Sequence, residues 1–120
     1  MQKILFIPYV LESHMLPTLG VAKILRDKYS IVYALPVMFN GFATLHGYQH
    51  AELNSYPIAL NFDRFHGFEK KRGYLAAMRE RILNKSVHKR EKDLRELIEK
   101  VRPDFILLDL LSGTDFILLY

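Results

Sequence analysis

The chain has no cysteine and no tryptophan among its 120 residues. The lack of cysteine excludes disulfides and thiolate metal sites and fits a reducing compartment. No apolar run reaches the roughly 20 uncharged residues of a membrane-spanning helix, since the most apolar segment, Phe105–Tyr120, contains Asp109 and Asp115. A signal peptide is not expected, because the first apolar stretch is short and is interrupted at Pro8. These absences predict a soluble, cytoplasmic protein.

Two phosphate-binding motifs are also missing from the sequence. No G-x-G-x-x-G follows the first apolar segment, and G-x-x-x-x-G-K-[ST] does not occur, so neither a dinucleotide fingerprint nor a P-loop is present. His46 and His50 are four residues apart, but Gly47 between them would end a helix. We therefore expect no cofactor and no metal site, and we interpret the histidines other than His14 as surface residues.

The composition is that of one globular domain, with 50% hydrophobic and 25% charged residues. The net charge of +4 originates in residues 64–102, where 13 lysines and arginines face six acidic residues. Interleaved acidic residues favour a salt-bridged, solvated helix. The alternative is contact of residues 70–100 with an anionic membrane surface, which would make the protein membrane-associated. Nucleic-acid binding is not expected, because the aromatic residues precede the basic stretch.

Apolar runs and turn residues predict strands that alternate with helices. The strands are expected at Lys3–Ile7, Ser30–Leu35, Ala51–Ser55 and Phe105–Leu108, and helices at 14–28, 38–46, 74–101 and from 110 onward. Within the long helix, the polar stretch 85–93 predicts either a bend or a segment that leans into water. The alternation predicts an α/β fold with a Rossmann-like parallel sheet of order 3-2-1-4 and flanking helices.

His14 and Asp109 are predicted to lie close together. In such a sheet, ligands bind beyond the carboxyl ends of the strands where the strand order reverses, here between strands one and four. His14 follows strand one and Asp109 follows strand four, and adjacent strands lie about 4.8 Å apart. A carboxylate that accepts a hydrogen bond from one imidazole nitrogen leaves the other nitrogen as a base. The simpler alternatives are a Ser13 N-cap followed by a surface histidine, and Asp109 as an N-cap.

The segments Lys3–Pro8 and Ser13–Leu25 resemble the N-terminus of UDP-dependent glycosyltransferases of the two-domain GT-B fold, the group of plant, animal and macrolide-modifying enzymes. Those proteins open with a strand, a Gly-His-x-x-Pro turn and a helix of the form Leu-x-Leu-Ala-x-x-Leu; here Ser13 stands in place of the glycine. The segment Pro103–Asp109 resembles the part of the family that carries an aspartate partner for the histidine. The resemblance implies that residues 1–120 are a single, incomplete acceptor-side domain, the truncated N-terminal half of a GT-B fold without its donor domain.

The resemblance also implies the reaction and the residues that perform it. His14 would be the general base of an inverting, metal-independent hexosyltransferase, and Asp109 would orient it. The implied acceptor-binding residues are Ser13, Phe62, Phe65 and Phe68. The implied partners are a nucleotide sugar, expected to be a UDP-sugar, and a small-molecule or lipid acceptor. Without a donor domain the chain alone is expected to be inactive. The alternatives are an inactive remnant or partner-binding fragment, and a nucleotide-sugar epimerase of the same architecture.

Overall fold

The computed structural model describes residues 1–55, 85–109 and 113–119. These residues form four strands, four α-helices and one short 3₁₀ turn. In chain order they are β1 (Lys3–Ile7), α1 (Glu12–Leu25), β2 (Ser30–Leu35), the 3₁₀ turn (Val37–Phe39), α2 (Asn40–Leu45), β3 (Gln49–Glu52), α3 (Lys85–Val101), β4 (Phe105–Leu108) and α4 (Gly113–Leu119). No described helix has the length and apolarity needed to cross a membrane.

The four strands form one parallel sheet in the order β3-β2-β1-β4. The central strand β1 pairs with β2 on one side and with β4 on the other. At the carboxyl end of this second pair, Ile7 lies opposite Leu108. The observed order confirms the predicted Rossmann-like α/β fold and brings the segments that follow β1 and β4 to the same edge of the sheet.

The hydrophobic core is divided between the two faces of the sheet. On β1, Leu5 and Ile7 pack toward α3, whereas Ile4 and Phe6 belong to the cluster on the side of α1. Apolar residues that recur at helical spacing supply the buried face of the long helix: Leu94, Leu97 and Val101. Burial on both faces explains why the two central strands, β1 and β2, are almost continuously apolar rather than alternating. The edge strand β4 is apolar as well, but Phe105 and Leu107 on it are exposed.

The first helix begins two residues earlier than its expected start at His14. Its N-cap is Leu11, which makes no side-chain capping bond. The backbone starts the helix instead, because the Leu11 carbonyl accepts from the N–H groups of both His14 (2.9 Å) and Met15 (2.9 Å). The alternative in which Ser13 caps the helix is therefore wrong, and His14 lies inside the first turn.

The third strand and the second helix also differ from their expected bounds. The strand covers Gln49–Glu52 rather than Ala51–Ser55. It begins earlier than expected because Gly47, with a positive φ of 78°, ends the turn after α2 two residues before Gln49. The segment expected as one helix over 38–46 is a 3₁₀ turn followed by α2.

The described part of the long helix runs without interruption over Lys85–Val101. The prediction that its polar stretch 85–93 bends or leans into water is wrong at Arg90, whose side chain is buried. Residues 74–84 of the predicted helix lie outside the described residues. The helix ends where Arg102 adopts a left-handed φ of 49° and its N–H donates to the Ile98 carbonyl at 2.8 Å. This αL cap precedes Pro103 and agrees with the expected end of the helix at residue 101.

Candidate functional site

The side chains of His14 and Asp109 meet at the carboxyl edge of the sheet. His14 Nδ1 lies 3.1 Å from Asp109 Oδ2. The His14 side chain is 32% exposed and that of Asp109 is 12% exposed. The carboxylate is therefore shielded, whereas part of the imidazole still reaches solvent.

The parallel register of β1 and β4 explains this meeting. Ile7 and Leu108 are paired at the ends of these strands, and Asp109 follows Leu108 directly. The Asp109 N–H donates to the Ile7 carbonyl at 3.3 Å, which extends the pairing by one residue. After β1, the Leu11 N–H donates to the Tyr9 carbonyl at 2.8 Å and closes a tight turn. This turn leads into α1 and places His14 near the end of β1.

The geometry determines what the imidazole can do chemically. A carboxylate can only accept hydrogen bonds, so the hydrogen of a neutral His14 belongs on Nδ1, which donates to Asp109. Nε2 then carries a lone pair and is the nitrogen that can take a proton from a ligand. An imidazole held in one tautomer and partly open to solvent is suited to general-base chemistry on a hydroxyl group.

Tyr9 is a neighbour of His14 that the sequence reasoning missed. Its ring centroid lies 5.6 Å from that of the imidazole, with the planes inclined at 68°. This is the edge-to-face arrangement that aromatic pairs prefer. Tyr9 is half-buried in the turn between β1 and α1, so it limits the directions in which the imidazole can rotate. The only sequence signal was an aromatic residue directly after Pro8 at the end of the first strand.

A second polar contact, between Thr18 and Tyr33, joins α1 to strand β2 of the sheet. The Thr18 hydroxyl donates to the Met15 carbonyl at 2.5 Å and lies 2.9 Å from the Tyr33 hydroxyl. Tyr33 is fully buried and stacks on Phe6, with ring centroids 5.1 Å apart. Burial raises the pKa of the Tyr33 phenol above its ordinary value of 10.0; the Thr18 hydrogen bond opposes this shift and Tyr48 adds to it. The phenol therefore acts as a neutral anchor for the first turns of the helix.

The other predicted site residues are only partly covered by the structure. Ser13 is exposed beside His14 in the first turn of α1. Phe62, Phe65 and Phe68 lie outside the described residues. Among the residues that the structure describes, no group of three or more histidines and carboxylates is arranged to hold a metal ion.

The exposed charges of α3 are in part neutralised within the helix. Arg95 donates to the Glu91 carboxylate at 2.9 Å, and Lys92 lies 3.9 Å from Glu96. Both are pairs four residues apart on one helix face, which stabilise a solvated helix modestly. From Lys85 onward, the basic segment therefore forms the salt-bridged, solvated helix that the interleaved acidic residues favoured.

Comparison with solved structures identifies the fold. The spinosyn rhamnosyltransferase SpnG superposes with a TM-score of 0.65 at 16% identity, covering 98% of this chain and 32% of that chain. Its complex with thymidine diphosphate gives a TM-score of 0.61 at 17% identity, covering 92% of this chain and 30% of the other. Its complex with spinosyn aglycone gives 0.62 at 18% identity, with coverages of 98% and 31%. The chain has the fold of part of a GT-B glycosyltransferase.

This likeness confirms the Rossmann-like fold of the predicted family. At such low identity it shows the fold alone. The chain spans about a third of the length of the rhamnosyltransferase chains that it matches. No family model and no curated protein matches the sequence. The specific UDP-dependent subgroup and the transfer of a hexose stay predictions.

Proposed function

We propose that the chain is the acceptor-activating part of an inverting glycosyltransferase that uses a nucleotide sugar. One observation carries the proposal: the 3.1 Å contact between His14 and Asp109 at the ligand-binding edge of a glycosyltransferase-type sheet. An ordinary surface histidine has no shielded carboxylate beside its Nδ1, whereas His14 does. The pairing leaves Nε2 as the group that faces a ligand.

The reaction follows from this arrangement. His14 Nε2 takes the proton of an acceptor hydroxyl while Asp109 stabilises the imidazolium that forms. The acceptor oxygen attacks the anomeric carbon of the nucleotide sugar from the face opposite the leaving group. The bond between that carbon and the phosphate oxygen breaks, and the nucleoside diphosphate leaves with the electron pair. A single displacement of this kind inverts the configuration at the anomeric carbon.

The partners of the reaction are proposed from two sources. The rhamnosyltransferase neighbours were solved with thymidine diphosphate and with spinosyn aglycone, which supports a nucleotide-sugar donor and a small-molecule acceptor here. The resemblance of the sequence favours a UDP-sugar, so both uridine and thymidine nucleotides belong in the assay. Ser13 lies beside the proposed base and would contact the acceptor. The same role is proposed for Phe62, Phe65 and Phe68 on the resemblance alone.

The proposal is tested by sugar transfer with the native protein purified from its source. It is offered labelled UDP- and dTDP-sugars together with a panel of hydroxylated small molecules and lipids. His14→Ala should lower the transfer rate by about 10²–10⁴, the range of a lost general base, while donor binding is retained. Asp109→Asn should lower it less.

His46 supplies the matched control, because it is an exposed histidine at the end of α2. His46→Ala should transfer sugar at the wild-type rate. Equal rates for His14→Ala and the wild type would refute the assignment of the base. Sugar release from the donor that needs no acceptor, or epimerised nucleotide sugar as the product, would favour the epimerase instead.

A further inference from the structure

The side of helix α1 that faces away from the sheet is apolar. Met15 and Ala22 are buried against the sheet. The opposite side consists of exposed residues without charge, here called the outer face of α1: Leu16, Pro17, Gly20, Val21 and Ile24. A helix that is apolar all round is normally buried all round, and adjoining exposed apolar residues mark an interaction surface.

Gly20 lies in the middle of the outer face without a reason in the fold of the chain itself. Its backbone is helical and has no positive φ, so it does not need the conformational freedom of glycine. Among the described residues, a Cβ added at this position would meet no atom within 4 Å outside its own helix. Because glycine weakens a helix relative to alanine, its presence here favours a neighbour that approaches α1 closely from outside.

Two charged residues border the outer face in an arrangement that suits an antiparallel helix. Glu12 lies at the start of α1 and Lys23 near its end, and both are exposed. They are 11 residues apart, which places them on the same edge of the face but about 16.5 Å apart along the axis. They are therefore too distant to pair with each other, and neither makes an ion pair within the described part of the chain.

We propose that the outer face of α1 binds the same face of a second copy of the chain, with the two helices antiparallel. A twofold axis at the midpoint of α1 brings the Glu12 carboxylate of each copy near the Lys23 ammonium of the other. The same axis sets Leu16 of each copy against the open space at Gly20 of the other. The antiparallel helix dipoles also attract each other. The proposal does not depend on glycosyl transfer, because His14 is not part of the outer face.

The dimer is expected to be weak and reversible. A helix of 14 residues is about 21 Å long, and one pair of such helices covers less area than a standard protein interface. A dissociation constant in the micromolar range fits a contact of this size. Sedimentation equilibrium of the purified chain at a series of concentrations measures it. The mass should rise from the 14.1 kDa of the monomer toward twice that value.

Ile24→Gln is the main variant, because Ile24 is 78% exposed in the single chain and its replacement should not disturb folding. It should raise the dissociation constant about tenfold or more, since each dimer loses two buried isoleucines. Leu45→Gln is the matched control: Leu45 is 85% exposed at the end of α2, away from the outer face. It should leave the dissociation constant unchanged.

Charge reversal tests the antiparallel arrangement. Glu12→Lys and Lys23→Glu should each weaken the dimer several-fold, because each places like charges together across the interface. The double variant should restore the wild-type affinity. Since the two residues are too far apart to meet within one helix, recovery requires that they meet between copies.

Gly20→Ala separates the folding of the chain from its association, and it decides the matter if the charge variants fail to fold. It should raise the thermal stability of the dilute monomer, since alanine favours the helix and its Cβ has room. The dimer should become weaker, because the added methyl group occupies the space that Leu16 of the second copy would fill.

Three results would overturn the proposal. A chain that stays monomeric at every attainable concentration would exclude a second copy and leave a different polypeptide as the occupant of the outer face. A dimer with the same dissociation constant in Ile24→Gln and the wild type would form through another surface. A folded double charge variant without recovered affinity would exclude the antiparallel arrangement.

Discussion

The imidazole of His14 is held through two contacts of different kinds. Asp109 determines which nitrogen carries the hydrogen, and the Tyr9 ring limits the rotation of the imidazole. The first contact was predictable, because strand order and the position of each residue after its strand are visible in the sequence. The second was not, since an aromatic residue after Pro8 has no pattern that would distinguish it from ordinary packing.

At Tyr33 the structure predicts a dependence of stability on alkaline pH. Burial raises the pKa of the phenol, so the folded protein keeps a proton above pH 10.0 that the unfolded chain loses. The contribution is therefore fully present below pH 10.0 and is lost as pH rises through the folded pKa. Tyr33→Phe should make the free energy of unfolding fall less steeply in this range, as measured by urea unfolding at a series of alkaline pH values. An identical slope in the variant would contradict the prediction.

Among the elements, α1 and α3 differ in how much of their role the sequence reveals. The buried face of α3 is visible in the sequence, because Leu94, Leu97 and Val101 recur at helical spacing, and all three are buried. Arg90 stands on the same face, one turn before Leu94. It was missed because a charged residue is normally exposed, and its ion-pair partner, the buried Asp115 of α4, is distant in the sequence. Only the packing of α4 on α3 shows that the charge is compensated.

For α1, the hydroxyl of Thr18 links the helix to the sheet. Thr18→Val keeps the shape but removes the bonds to the Met15 carbonyl and the Tyr33 hydroxyl. Because the buried Tyr33 hydroxyl then loses this partner, we expect a loss of about 1–3 kcal/mol in the free energy of unfolding. Thr18→Ser keeps the hydroxyl and should lose less. Denaturant unfolding of both variants measures the difference, and equal stability of Thr18→Val and the wild type would show that these bonds make no net contribution.

Over the whole molecule, the sequence predicted the sheet order but not all of the site. The alternation of strands and helices leaves few topologies for a parallel sheet, and the observed order is one of them. The aromatic residues at 62, 65 and 68 lie outside the described residues. The chain spans about a third of the length of the rhamnosyltransferase chains that it matches. The proposal that it forms the acceptor side of a glycosyltransferase is tested on the chain itself.

If the 120-residue chain forms the acceptor side, it should bind an acceptor but not a nucleoside diphosphate. An acceptor identified in the transfer assay should shift the NMR signals of Tyr9 and His14. Thymidine and uridine diphosphates should not bind detectably by calorimetry, because the chain has no glycine-rich phosphate motif after β1. Tight binding of either nucleotide would contradict the assignment of this chain to the acceptor side. Absence of any shift at His14 with acceptor molecules would count against the site.

The most direct test of the account is the tautomer of His14 in the wild type and in Asp109→Ala. A neutral imidazole oriented by Asp109 carries its hydrogen on Nδ1 and leaves Nε2 free to take a proton. The ¹⁵N shifts of the two ring nitrogens distinguish the tautomers without any substrate. We predict the Nδ1–H form in the wild type and a shift toward Nε2–H in the variant. The Nε2–H form in the wild type, or the same tautomer in both proteins, would contradict it.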